Sequence, residues 1–187
     1  MSARHSRVRS TQPLSRRQRR VRTIVAILLL IAIVVELKLY VVPTSNKPRH
    51  ADAVVVLGGH AYQTRIHEGN AIARRFGGAV LVVSTPAGQV CEAKPAGALA
   101  IICFRPDPST TQGEAREAAK LATQYGWQSI IVVATGDQIW RARLRFQRCW
   151  SGTLRMVRAP SSLFLRLRTV PYETAATIKA EVLQRSC

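Results

Sequence analysis

Three short runs rich in β-branched residues limit what this chain can fold into: AVVVL at 53–57, AVLVVS at 79–84 and SIIVVAT at 129–135. Each lacks the alternation of a half-exposed strand, and each has the length of a strand buried on both faces. Helical periodicity fills the gaps. Residues 63–76 place Ile66, Gly69, Ala73 and Phe76 on one face. Thr111-Gln112-Gly113-Glu114 has the pattern of a capping box, opening a helix that buries Ala115, Ala118, Ala119, Ala122 and Tyr125. Residues 138–149 turn Ile139, Ala142, Phe146 and Cys149 inward. Weaker signals give strands at ALAIICF (98–104) and LRMV (154–157) and a last helix over 172–185. Strands alternating with helices predict an α/β, Rossmann-like three-layer fold with a mostly parallel sheet. Apolar residues are 47% of the chain but aromatics only 6%, so the core must be Val, Ile, Leu and Ala.

The net charge of +18 speaks to partners rather than to fold. Residues 1–42 carry nine basic side chains and one acid, and residues 138–172 carry eight Arg and no acid. Between these zones the charges almost cancel. The first zone begins with eight Arg in 22 residues, too polar to fold alone, and is read as a basic cytoplasmic tail, 1–22. TIVAILLLIAIVV follows without a charge. As a helix, residues 23–42 reach about 30 Å, a bilayer core. Lys38 would snorkel, and Tyr40 suits the far interface. A cleaved signal peptide, a transit peptide and a buried core helix are the alternatives. No small-residue cleavage site follows the run, the run is too continuous to be amphipathic, and a core helix is not normally preceded by eight Arg. The reading is therefore a single-pass transmembrane anchor. The positive-inside rule keeps its amino terminus cytoplasmic and exports the main domain, residues 51–187, behind a linker at 43–50.

Cys91, Cys103, Cys149 and Cys187 all lie beyond the anchor, where disulfides persist. Three pairings exist. Cys91–Cys103 would clip one loop and Cys149–Cys187 would tie down the carboxyl end, so that combination is favoured. Zinc ligation is the rival, but no C-x-x-C or close Cys/His pair occurs, and no metal site is predicted.

In parallel sheets ligands bind at the carboxyl ends of strands, near a switch in strand order. Those ends deliver Gly58, Gly59 and His60, then Ser84 and Thr85, then Thr135, Gly136 and Asp137. The loop before the capping pattern adds Asp107, Ser109 and Thr110, and Arg65 and Arg141 stand in the following helices. Paired glycines allow close approach, and guanidinium groups near helix amino termini favour a phosphate or carboxylate. Each feature has a plainer reading: a tight turn for Gly58-Gly59, a cap for Thr111 and Glu114, an N-cap for Asp137. No G-x-G-x-x-G, P-loop or G-x-S-x-G motif is present, and the residues identify no cofactor.

ADAVVVLGGH, Arg65, PDPSTTQGEA and IIVVATGDQIWRARLRF together resemble the YdcF/SanA/ElyC-like family of membrane-anchored domains, in an actinobacterial-type form, across about residues 51–150. The resemblance implies a Rossmann-like domain behind a membrane helix and a link to cell-envelope or wall-glycan assembly. No secure reaction comes with it. By position it implies a cleft of Gly58, Gly59, Arg65, Ser84, Ser109, Thr110 and Arg141. Relatives carry a His where this chain has Gln138, so acid–base or nucleophilic chemistry by that His cannot operate here.

Two functions compete. One is a cleft that binds an anionic small molecule, phosphorylated or lipid-linked. The other is a non-catalytic envelope scaffold whose Arg-rich surface holds anionic lipid or wall polymer. In both, an anionic membrane surface is a partner. No nucleic-acid partner is expected, because the topology puts IWRARLRFQRCW outside the cell. Arg65 and Arg141 are read as cleft ligands removable without unfolding, and Arg145, Arg148, Arg155 and Arg158 as solvent-facing.

Overall fold

The computed structural model describes residues 15–86, 88–91, 93–94 and 97–187. The chain forms two units, parting between Val35 and Glu36. In the first, helix α1 (Arg16–Glu36) begins inside the basic segment expected to be unfolded, which corrects that expectation from residue 16 onward. Ser15 and Gln18 explain the start. The Gln18 N–H donates to Ser15 Oγ at 3.2 Å, and the Ser15 N–H donates to Gln18 Oε1 at 3.0 Å, a reciprocal capping box. The first fourteen residues of the expected tail lie outside the described residues. Helical structure runs on through a π-helical turn, Leu37–Val41, and Arg16–Val41 is long and apolar enough to cross a membrane.

In the second unit the strands are β1 (Ala53–Val56), β2 (Val80–Ser84), β3 (Ile101–Phe104), β4 (Ser129–Thr135) and β5 (Thr153–Ala159). The helices are α2 (Tyr62–Phe76), α3 (Thr111–Tyr125), α4 (Ile139–Cys149) and α5 (Leu163–Val182). The sheet is entirely parallel in the order β3-β2-β1-β4-β5. This is the α/β, Rossmann-like class that the alternation predicts.

Successive strand residues point to opposite faces, which divides the core in two. Ala53, Val55, Val82, Ile130 and Val132 pack with Ala115, Ala118 and Leu121 of α3 and with Ile139, Ala142 and Phe146 of α4. Val54, Val56, Leu81, Ile131 and Val133 pack with Ile66, Ile72 and Ala73 of α2. Gly69 has to be glycine, because a Cβ there would lie 2.5 Å from Val56 Cγ2. Asp52 fastens the sheet entrance, accepting from the Gln128 N–H and from the N–H and hydroxyl of Ser129 at 2.8–2.9 Å.

Several expectations are corrected. Tyr125 does not reach the core. It is 53% exposed, stacked on the ring of Trp127 one residue past the helix cap. Tyr40, expected to face outward as an interface anchor, is buried in the second unit. Residues 43–50 have no regular structure but are not a free linker: Asn46 exchanges two hydrogen bonds with the backbone of Met156 in β5. The last helix begins at Leu163, capped by Ser162, and runs through Pro171. Proline discourages a helix from its sequence position alone, yet packing on α4 and on the π-helical turn holds this one together. Cys91–Cys103 and Cys149–Cys187 pair as favoured.

Candidate functional site

The strand order reverses between β1 and β4, so the fold has its crevice where Leu57 follows β1 and Thr135 ends β4. Gly58 follows Leu57 beneath Pro86. A Cβ on it would sit 2.1 Å from the proline Cδ, which only glycine avoids. Gly59 takes φ 101°, a region that favours glycine, and exchanges two hydrogen bonds with the Gln89 amide.

Thr110, not Thr111, caps α3, accepting from the Gly113 N–H. Glu114 is therefore released from the capping-box role and turns inward, taking the Gly58 N–H at 2.7 Å. Burial pushes this carboxyl above the usual range, against the pull of Ser84, the Gly58 N–H, Arg65 and Arg141.

A cavity of about 300 Å³ opens at these strand ends. Gly58, Gly59, Ser109, Thr110 and Arg141 line it, so five of the eight predicted site residues come together. The other three are buried outside the lining. Ser84 is fully buried. Arg65 is 0% exposed, its guanidinium donating to the carbonyls of Leu57 (2.9 Å) and Gly58 and to Thr135 Oγ1 (3.2 Å). It ties the end of β1 to the end of β4, and burial pulls its pKa down to about 10. Arg65 is thus part of the interior frame and not of the cavity wall, which corrects its reading as a cleft ligand. Asp137 is neither a cap nor part of the wall. It is buried, 3.0 Å from His60 Nε2, and accepts from the Thr169 hydroxyl at 2.9 Å. Burial raises its pKa, but hydrogen bonds from His60 and Thr135, the His60 charge and Thr169 outweigh that and hold it low.

Arg141 reaches the cavity but is not free there. It pairs bidentately with buried Glu173, at 2.7 and 3.0 Å, and donates to Thr111 Oγ1 at 2.6 Å. Glu173 outweighs the effect of burial and raises the Arg141 pKa.

Two cations of the wall, Arg145 and Lys179, escape the sequence reading. Arg145 lies off the inward stripe of α4, which is why it is expected in solvent. It is buried instead, since α5 and the segment after it cover that second face. It donates to the carbonyl and side-chain oxygen of Gln184, with no carboxylate partner among the described residues. Burial and the nearby Arg148, Arg141 and Arg116 lower its pKa. Arg148 is likewise occupied, by Glu181 and by the backbone of Ala180 and Gln184. Nothing in the local sequence signals Glu173 or Lys179, which arrive on α5.

The His60 side chain is 32% exposed, with Nε2 fixed between Asp137 and Thr135 Oγ1. A carboxylate-oriented imidazole at a strand end can accept or donate a proton. Among the described residues no group of three His, Cys, Asp or Glu could hold a metal ion. No protein-family model, curated protein or solved structure matches the chain.

Proposed function

We propose that this is a membrane-anchored envelope protein whose strand-end cavity binds an anionic small molecule, phosphorylated or lipid-linked. One observation carries the reading: Arg145 and Lys179 reach the cavity with no acidic partner among the described residues, beside Arg141 and the N-terminal end of α3. An anion placed there meets two uncompensated charges and helix N–H groups. Eight Arg ahead of the apolar run support an amino terminus in the cytoplasm and an exported second unit, and two disulfides fit that compartment. The motif resemblance supports membership of the YdcF/SanA/ElyC-like family and a role in envelope or wall-glycan assembly.

The test is calorimetric titration of the detergent-solubilised full chain with pyrophosphate. Lys179→Ala removes one charge-assisted bond of about 1.5–3 kcal/mol, an expected weakening of about tenfold or more. Heat absent from the wild type, or binding indifferent to Lys179, would sink the cavity reading. The competing scaffold reading draws on Gln138 at the family's His position and on Arg141 being held by Glu173. Pyrophosphate ignored while the chain still adheres to anionic vesicles would favour it.

A further inference from the structure

Helix α5 is inside out. The residues it buries are Glu173, Thr177 and Ala180, while Phe164, Leu167, Pro171, Ala175, Ile178 and Val182 face outward. Phe164 is 74% exposed, Ile178 58% and Val182 60%. At 3.6 residues per turn these six positions fall within an arc of about 80° running the length of the helix. A helix on the surface of a soluble protein has the opposite polarity, and an exposed apolar stripe of this length marks a contact surface.

Chain connectivity indicates what covers it. Thr174 donates to Glu36 Oε2 at 2.7 Å, and the Arg166 guanidinium donates to the Val41 carbonyl. Glu36 directly follows Val35, the last residue of the uncharged run. The middle of α5 therefore sits where the chain enters the apolar run, and Leu37, on the π-helical turn packed against α5, is also exposed. Arg168 and Lys179 stand exposed on this helix, without ion pairs among the described residues. Glu181 is taken by Arg148. A second copy of the chain would bring these cations against their like, whereas an anionic leaflet complements them. With two Arg, a Lys and two Glu among its residues, α5 is suited to lie at a membrane surface rather than cross it.

We propose that the outward face of α5 docks on the leaflet from which α1 emerges. Its apolar side chains enter the headgroup–acyl boundary, and Arg168 and Lys179 meet anionic phospholipid. This rests on the membrane-anchor reading above. It also bears on the ligand, because Tyr172, Ala176 and Lys179 of the same helix line the cavity, which docking would bring to the bilayer surface.

The experiment uses the full chain in liposomes of phosphatidylcholine and phosphatidylglycerol, with and without bromine on the acyl chains. Phe164→Trp and Ile178→Trp report on the stripe. Tyr125→Trp is the control, since Tyr125 ends α3 at the sheet edge opposite the strand ends where Pro43 approaches Gly136. After subtraction of the wild-type signal, bromine should quench the Phe164→Trp and Ile178→Trp variants several-fold more than the control. Equal quenching of all three variants overturns the docking. A defined dimer cross-linked through α5, with no quenching, assigns the stripe to a second copy and overturns it as well. A wild-type chain that fails to float with liposomes overturns the anchor and the docking together, a result distinct from flotation without quenching.

Discussion

Replacing Arg65 by alanine tests whether the floor of the crevice is held by a buried cation. The guanidinium is inaccessible to solvent and bridges the Leu57 and Gly58 carbonyls to Thr135 Oγ1. Alanine would leave these acceptors without their donor in a dry site. It would also remove the positive charge that faces Glu114 and Asp137. A hydrogen bond to a charged group contributes about 1.5–3 kcal/mol, but three bonds on one guanidinium do not add, and burial of the charge opposes them. Removing one member of a buried charged set costs about 3–5 kcal/mol, which is the expected loss. Against a native stability of about 5–15 kcal/mol this is severe, and at about 2–4 °C per kcal/mol it lowers Tm by about 6–20 °C. Urea unfolding of the full chain in detergent, followed by tryptophan fluorescence, measures it. Arg65→Met keeps the stem and should lose less, because its packing survives. A loss below about 1 kcal/mol for Arg65→Ala would refute the claim that this residue joins β1 to β4.

Other outcomes follow from single contacts. Gly69→Ala drives a Cβ to 2.5 Å from Val56 Cγ2 and should cost about 1–3 kcal/mol in the same unfolding assay; no loss would mean that α2 is not seated as described. Burial raises the Asp52 pKa, but bonds from Gln128 and Ser129 outweigh this and hold it below the ordinary 3.8. With the folded value below the unfolded one, the stability this carboxylate contributes is present above about pH 4 and is lost as pH falls through the folded value. Asp52→Asn should flatten the acid limb of Tm against pH, and an unchanged limb rejects the assignment. Non-reducing peptide mapping of membrane-purified protein should link Cys91 to Cys103 and Cys149 to Cys187, whereas free thiols would count against an exported unit. A phosphatase reporter fused after Cys187 should be active and a cytoplasmic reporter there dark, and the reverse pattern rejects the orientation.

The strands and the inward faces of α2, α3 and α4 were legible because burial on both sides of a parallel sheet leaves uninterrupted Val and Ile, and helix packing leaves a periodic stripe. These are local patterns, set by nearest neighbours and by the pleat or turn they occupy. The same logic located Gly58, Gly59 and the loop at 109–110 at the strand ends. What α5 does was not legible. Pro171 hid its first half, and its outward Phe164 and Ile178 would have been taken for core by any rule that buries apolar residues.

The partners of the charged groups were decided only by tertiary structure. Ion pairing depends on which elements meet, and Arg141 with Glu173 or His60 with Asp137 join segments 32 and 77 residues apart. Sequence alone supplied a cationic chain with arginines near strand ends. The fold separated them: Arg65 is locked among backbone carbonyls, Arg141 is neutralised by Glu173, and Arg145 is buried beneath α5 beside the cavity. A side chain's charge is written in its residue type, but its freedom to meet a ligand depends on what the folded chain has already placed within hydrogen-bonding distance.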